Sequence, residues 1–269
     1  MKIRFTDSAS PANELDLSAL STAGEKYKPK RNEISIKFNS DSIEKFGTSG
    51  AFETGDGTIK SRSFSVNCYV FGRNDAEYRK RITTLNQFFR AKNRPFYIYD
   101  DDNSIRAKIR LESIEQKFKS VGLENIFAEV EIKPEMLDSL WEDSEETTEQ
   151  FYSVTPNGTF TVNVSDASGL DVVDAFPVFE IVSAGFNPNI VLTNLANNGT
   201  IRLADSNIGA GVKLTVSSVD GTVKIGSNLK PAVKTGGYFL RLENGDNIIK
   251  FQSLSSADIK VTYRKRFLN

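Results

Sequence analysis

Residues 212–225, VKLTVSSVDGTVKI, decide how the second half of this chain is read. Val212, Leu214 and Val216 alternate with other residues before Asp220-Gly221, a dipeptide that favours a two-residue hairpin turn, and Val223 and Ile225 alternate after it. A two-residue turn sets Val216 opposite Ile225 and Ser218 opposite Val223. All five aliphatic residues then lie on one face. Turn chemistry and hydrophobic pattern agree, so a hairpin with one buried side is predicted.

Working outward, residues 151–269 contain no helical periodicity. Strands are predicted to begin at Phe160, Phe179, Ile190, Ile201, Val212, Thr222, Tyr238, Ile248 and Ile259, cut apart by Gly, Asn, Asp and Pro. The last, DIKVTYRKR, alternates Ile259, Val261 and Tyr263 against Lys260, Thr262 and Arg264. Many short strands between turn signals are the pattern of a β-sandwich or jelly roll, a fold used more for binding than for chemistry.

The first half follows different rules. EISIKF puts Ile34, Ile36 and Phe38 on one face of a strand. GTSGAFETGDGTIK brings Gly47, Gly50, Gly55 and Gly57 together but lacks the Gly-Lys-Ser/Thr ending of a phosphate-binding loop, and reads as a mobile loop. Residues 62–71 read as one long strand, in which Cys68 alternates with Phe64, Val66 and Val70 as a small core residue. Asn74 with Glu77 fits a helix start of the capping-box type, and Tyr78, Ile82, Leu85 and Phe89 make one apolar face until Asn93 and Pro95 stop the helix. PFYIYD is a strand, Asp100–Asn103 a turn, and SIRAKIRLE a strand with Ile105, Ala107, Ile109 and Leu111 inward and Arg106, Lys108, Arg110 and Glu112 outward. Residues 123–132 repeat this with Ile126, Ala128, Val130 and Ile132.

The chain is thus expected to be mostly β, with an N-terminal α+β domain carrying one main helix and a C-terminal β-sandwich. Charged residues fall from 49 in the first 150 positions to 20 in the last 119. The acidic stretch EDSEETTEQ, 142–150, reads as a solvated linker, which sets domains at 1–148 and 149–269.

There is no histidine, which excludes Ser-His-Asp and Cys-His nucleophilic sites and His-ligated metals. Cys68 is the single cysteine and has no internal disulfide partner. No apolar run approaches a membrane span, and MKIRFTDSAS lacks a signal-peptide core, so synthesis in a cytoplasm is expected. A net charge of -1 provides no global basic field for nucleic acid. No catalytic, cofactor or metal site is predicted. The Asp100–Asn103 cluster lacks the spacing and glycine of a calcium loop and reads as a solvated turn.

Two charged segments are the candidate contact sites. Residues 73–94 hold seven bases, Arg73, Arg79, Lys80, Arg81, Arg90, Lys92 and Arg94, against Asp75 and Glu77. Residues 135–149 hold seven acids, among them Glu142, Asp143, Glu145 and Glu146, and no base. They are either two solvated faces or complementary faces between copies of the chain. Sugar binding by the second domain is the alternative function. It is weakened because that half has no Trp, and Phe160, Phe179, Tyr238, Phe239 and Phe251 read as core.

The order of features resembles the distal tail protein (Dit) family of long-tailed, non-contractile phages. SFSVNCYVFGRNDAEYRKRITTLNQFFRAKNRPFYIYDDDNSIRAKIRLESIE is similar to that family's N-terminal belt domain, and LENIFAEVEIKP to its closing strand. FEIVSAGFNPNIVLTNLANNGTIRL, the Asp220-Gly221 hairpin, YFLRLENGDNIIKF and the ending VTYRKRFL are similar to its galectin-like C-terminal sandwich. The resemblance implies a non-enzymatic protein of the virion tail tip, forming a hexameric ring between tail tube and adhesion apparatus. Implied partners are the tail tube, tape-measure and tail-tip hub proteins and a receptor-binding protein, with no membrane and no specific nucleic-acid contact. No large insertion that would add a carbohydrate-binding module is present.

Overall fold

A computed structural model describes residues 3–6, 14–20, 30–31, 35–38, 41–44, 51–54, 59–90, 96–117, 126–137, 140–166 and 172–267. Two units emerge, Met1–Ser144 and Glu145–Asn269.

In the first unit, β1 (Ile3–Thr6), β2 (Glu14–Asp16), β3 (Lys30–Arg31), β4 (Ser35–Phe38), β5 (Asp41–Glu44), β6 (Ala51–Thr54), β7 (Ile59–Ser63) and β8 (Val66–Phe71) precede α1 (Asp75–Phe89), the one α-helix among the described residues. The strands β9 (Phe96–Asp100), β10 (Ile105–Lys117), β11 (Phe127–Met136) and β12 (Trp141–Asp143) follow. The main path is antiparallel, β2-β1-β9-β10-β11-β8-β3. β10 pairs β9 over Ile105–Ile109 and β11 from Ile109 to Lys117, with a bulge between Leu111 and Ser113. Ile105, Ala107, Ile109 and Leu111 are buried as predicted. Arg106 is buried too, because its guanidinium lies 4.9 Å from the Tyr97 ring centroid and 3.3 Å from the Glu142 carboxylate.

Helix α1 begins where the capping pattern sets it. The Asn74 side chain accepts from the Glu77 N–H at 2.9 Å. The Glu77 carboxylate in turn accepts from the Arg73 N–H at 2.9 Å, one residue before the position a capping box uses. Tyr78, Leu85 and Phe89 are buried and Ile82 is half-buried. Phe89 meets Phe5 edge-on at 5.1 Å and Phe96 at 5.7 Å, so the helix is held against β1 and β9. Gly72 makes the entry possible, since a Cβ there would lie 2.3 Å from the Tyr78 nitrogen.

Three expectations for this half are corrected. The strand over 62–71 breaks at Phe64-Ser65: β7 pairs β4 and, through Ser63, β11, whereas β8 pairs β11 and β3. Within the glycine-rich stretch, Ala51–Thr54 forms β6 and pairs β5, while Gly47, Gly50, Gly55 and Gly57, like Ile34, Asn93 and Pro95, lie outside the described residues. The supposed linker is strand at both ends: Trp141–Asp143 pairs β10, and Thr147–Gln150 opens the first strand of the second unit. Trp141 is fully buried, 5.6 Å from Phe64, and this anchor precedes the acidic run that dominates the composition.

The second unit contains β13 (Thr147–Val154), β14 (Thr159–Val164), β15 (Val172–Ala175), β16 (Val178–Ser183), β17 (Asn189–Asn194), β18 (Gly199–Ala204) and β19 (Lys213–Ser217). It continues with β20 (Thr222–Ile225), β21 (Asn228–Leu229), β22 (Lys234–Gly237), β23 (Leu242–Glu243), β24 (Gly245–Gln252), β25 (Ala257–Tyr263) and β26 (Lys265–Phe267). A six-stranded sheet, β13-β25-β16-β19-β20-β21, and a five-stranded sheet, β14-β24-β17-β18-β22, bury their inner faces in one core, as a sandwich does. Phe179, Ile181, Leu214, Val216, Ile259 and Val261 come from the first sheet, and Val162, Ile190, Leu192, Ile201, Ile249 and Phe251 from the second.

The hairpin from which the fold was read forms, with its register moved by two. Val216 pairs Val223, Leu214 pairs Ile225, and Ser217 pairs Thr222, leaving a four-residue loop. The cause is Ser217, whose hydroxyl accepts from the Asp220 N–H and donates to the Asp220 carboxylate, both at 3.2 Å. Gly221 takes φ 63°, a left-handed turn position. A shift of two preserves the pleat, so the predicted face survives. Tyr238 is a further correction: it follows β22 and is 85% exposed, instead of opening a strand as core.

Candidate functional site

Helix α1 presents the basic segment. Arg73, Arg79, Lys80 and Arg90 are exposed. Arg79 pairs Asp75 at 2.7 Å on the solvent side, an i,i+4 pair worth only a few tenths of a kcal/mol. Arg81 differs from its neighbours. Its guanidinium donates to the Leu20 carbonyl at 2.9 Å, the Phe71 carbonyl at 2.6 Å and the Glu77 carboxylate at 2.9 Å. Arg81 thus has a bracing role inside its own unit. The Glu77 carboxyl is held below its ordinary value by the Arg73 backbone N–H and the nearby guanidinium groups. A shallow groove of about 520 Å³ runs beside this helix, lined by Asp16, Leu20, Glu77, Lys80 and Arg81 among others.

The acidic segment divides between the two units. Glu142 is in β12, half-buried and paired with Arg106 at 3.3 Å, and Asp143 follows it in the same strand. Glu145 and Glu146 are exposed in the second unit, and Glu146 pairs Arg264 at 3.4 Å. Among the described residues, Arg73, Lys80 and Arg90 are the cations of the segment 73–94 that are exposed and have no carboxylate in ion-pair reach.

Among the described residues, chemically reactive groups do not converge. Cys68 is completely buried, and burial pushes its thiol up to about 12, which keeps it protonated and unreactive at neutral pH. At the acidic turn, Asp101 is occupied by Arg4 at 2.8 Å, and Asp100 accepts from the Asn103 side chain at 2.9 Å. Among the described residues no group of three or more Cys, Asp or Glu side chains is arranged to hold a metal. No helix among them is long and apolar enough to cross a membrane.

Sequence reasoning missed two polar networks that hold the second unit. Asn194 and Asn247 are fully buried, and Asn194 donates to Asn247 at 2.9 Å and to the Arg241 carbonyl at 3.0 Å. Asn247 donates to the Glu243 and Gly245 carbonyls and accepts from the Glu243 N–H. Asp174 is buried and pairs Arg266 at 2.9 Å, whose guanidinium stacks 4.5 Å from Phe176. Asn194 in TNLANNG and Asn247 in ENGDN look like loop residues in the sequence, and the return of β24 beside β17 brings the two together.

The chain is thus a strand-rich unit with one helix followed by a β-sandwich, with charged exposed faces and engaged carboxylates. Residues 23–181 match the phage tail protein RIFT-related domain, and residues 172–267 match the siphovirus-type tail component, C-terminal domain. The first match spans more than half of the chain. The chain therefore belongs to the siphophage distal tail (Dit) family, whose members are structural components of the phage tail. Its fold is like that of SPP1 Dit, described as a paradigm of the hub adsorption apparatus of phages infecting Gram-positive bacteria, with a TM-score of 0.69 over 99% of each chain at 15% identity. A chain of the phage P2 baseplate in its activated conformation with Ca aligns over 97% of each chain at 12% identity, with a TM-score of 0.45. No curated protein sequence matches the chain.

Proposed function

We propose that this chain forms a hexameric ring at the tip of a siphophage tail and joins the tail tube to the tail-tip or adhesion apparatus. The observation that carries this reading is the tandem match of both tail-component models, supported by a fold like that of SPP1 Dit along 99% of both chains. The first unit supplies the ring, with β10 and β11 pairing over Ile109–Lys117 and the α1 cations exposed on its surface. A cyclic ring needs a heterologous contact, in which one face of a copy meets a different face of the next. Arg73, Lys80 and Arg90 of the first unit are assigned to one such face, and Asp143, at the acidic end of the same unit, to the other. The sandwich units carry the contacts to peripheral tail proteins. Tape-measure protein and then DNA pass through the channel without base-specific contact.

Native mass spectrometry of the full chain tests the ring. Assemblies of six copies are expected, and a different closed stoichiometry contradicts the proposal. A glycan array with the full chain separates docking from sugar reading: saturable binding to one glycan class would favour the carbohydrate-binding alternative.

A further inference from the structure

The second unit holds eleven basic residues. Six of them, Lys213, Arg241, Lys260, Arg264, Lys265 and Arg266, have a carboxylate within ion-pair reach. Of the five without one among the described residues, Lys250 stands apart on β24, and Arg202, Lys224, Lys230 and Lys234 lie along one margin of the sandwich. The run Gly221–Leu242 contains four bases and no acid.

This margin is where both sheets end. β21 is the terminal strand of the six-stranded sheet and β22 that of the five-stranded sheet. The short 3-10 turn Pro231–Val233 carries the chain from one to the other. Lys224 is the register partner of Leu229, and the Lys230 N–H donates to the Val223 carbonyl at 2.8 Å. Arg202 pairs Gly236 across β18 and β22. The Lys234 ammonium donates to the Gly237 carbonyl at 2.6 Å and sits 5.5 Å from the Phe239 ring centroid. The Phe239 ring reaches back to Gly221, where a Cβ would lie 3.7 Å from it, which ties the lysines to the β19–β20 turn. Tyr238 stands beside them, 85% exposed. Asp220, which precedes Gly221, accepts from the Ser217 hydroxyl through its carboxylate.

We infer that this margin is a docking edge for an extended acidic segment of a partner protein, which adds a strand to β22. This rests on the proposed docking role of the sandwich. Terminal strands present backbone N–H and C=O groups that an added peptide strand can read. Unpaired lysines attract carboxylates of that strand and repel a second copy of the same edge, so one set of charges selects the partner and prevents self-pairing. Tyr238 offers an aromatic body with little rotamer entropy to lose.

The test titrates a labelled synthetic peptide alternating Glu with Val against the full chain, with a Lys-Val peptide and inorganic polyphosphate as the other probes. Amide hydrogen exchange is recorded on the same complexes. The Glu-Val peptide is expected to bind, to weaken as salt rises, and to protect amides of Thr235–Gly237. The combined change Lys224→Glu, Lys230→Glu and Lys234→Glu should weaken it by roughly tenfold or more, and the same three positions changed to Gln should fall between. The inference is overturned by no peptide binding, by polyphosphate binding in its place, or by a charge-reversed chain of unchanged melting temperature that binds as the parent does. Copy number measured on the same samples keeps the two proposals apart. An intact hexamer that ignores the peptide overturns the docking edge alone, and peptide binding by a chain that never forms a ring overturns the ring alone.

Discussion

Arg81 on helix α1 donates to the carbonyl oxygen of Phe71 at the end of β8 across 2.6 Å. The same guanidinium serves Leu20 and Glu77, and its side chain is 17% exposed. Removing it leaves two backbone carbonyls and a carboxylate without this donor. Arg81→Ala is predicted to destabilise the chain by roughly 2–3 kcal/mol, read as a shift of the urea midpoint. Arg81→Lys should recover only part of it, since an ammonium cannot reproduce the planar fork. An unchanged midpoint for Arg81→Ala would mean the bonds contribute nothing.

Arg73, Lys80 and Arg90 share that helix region but are exposed. Changing all three to Glu is expected to leave the melting temperature within about 2 °C of the parent, because exposed charges contribute little to folding. Ring formation should weaken, and more so at low salt, where like charges are less screened. Sedimentation velocity at two salt concentrations reads both effects. Assembly indistinguishable from the parent at low salt would remove these residues from the interface.

This contrast was only partly legible in the sequence. Spacing identified helix α1, its cap at Asn74 and its buried stripe, because a helix reports on local periodicity. It did not separate Arg81 from Lys80, because what Arg81 touches, Leu20 and Phe71, depends on the chain's return. The Asp220-Gly221 turn was recognised but Ser217 was not, and one hydroxyl moved the register by two while keeping the face. Composition misread 142–150 as a linker, since acids at the outward positions of strands look the same as acids in a solvated connection. Tyr238 reads as core by hydrophobicity alone, but it follows the left-handed Gly237, φ 73°, at the end of β22 and is exposed.

Asn247 is fully buried and joins Asn194, Glu243 and Gly245. Asn247→Ala leaves several buried partners unsatisfied, at about 1–3 kcal/mol each before relaxation. A loss of roughly 3 kcal/mol in unfolding free energy is predicted. Asn247→Asp should be no better, since the carboxylate lacks the donor that the Glu243 and Gly245 carbonyls require. Chemical denaturation of the two variants measures this, and parent-like stability in both would contradict the network's role.

Glu180 lies between Lys213 and Lys260 on the six-stranded sheet, with the Lys260 ammonium at 3.7 Å. The hydrogen bond from Lys213 holds its carboxyl below the ordinary value. A depressed folded value means the pair stabilises above the unfolded carboxylate pKa of about 4.3 and is lost as pH falls through the lower folded one. Glu180→Gln should therefore melt below the parent at neutral pH, with the gap closing as pH falls through the depressed folded value. A pH-independent gap would assign the loss to packing instead.

The most direct test of the central claim is negative-stain electron microscopy of the purified full chain, alone and mixed with the tail tube protein. Class averages should show a six-fold ring with a central hole, coaxial with the tube in the mixture. Isolated chains in both samples, or a closed ring of any other symmetry, would contradict the account.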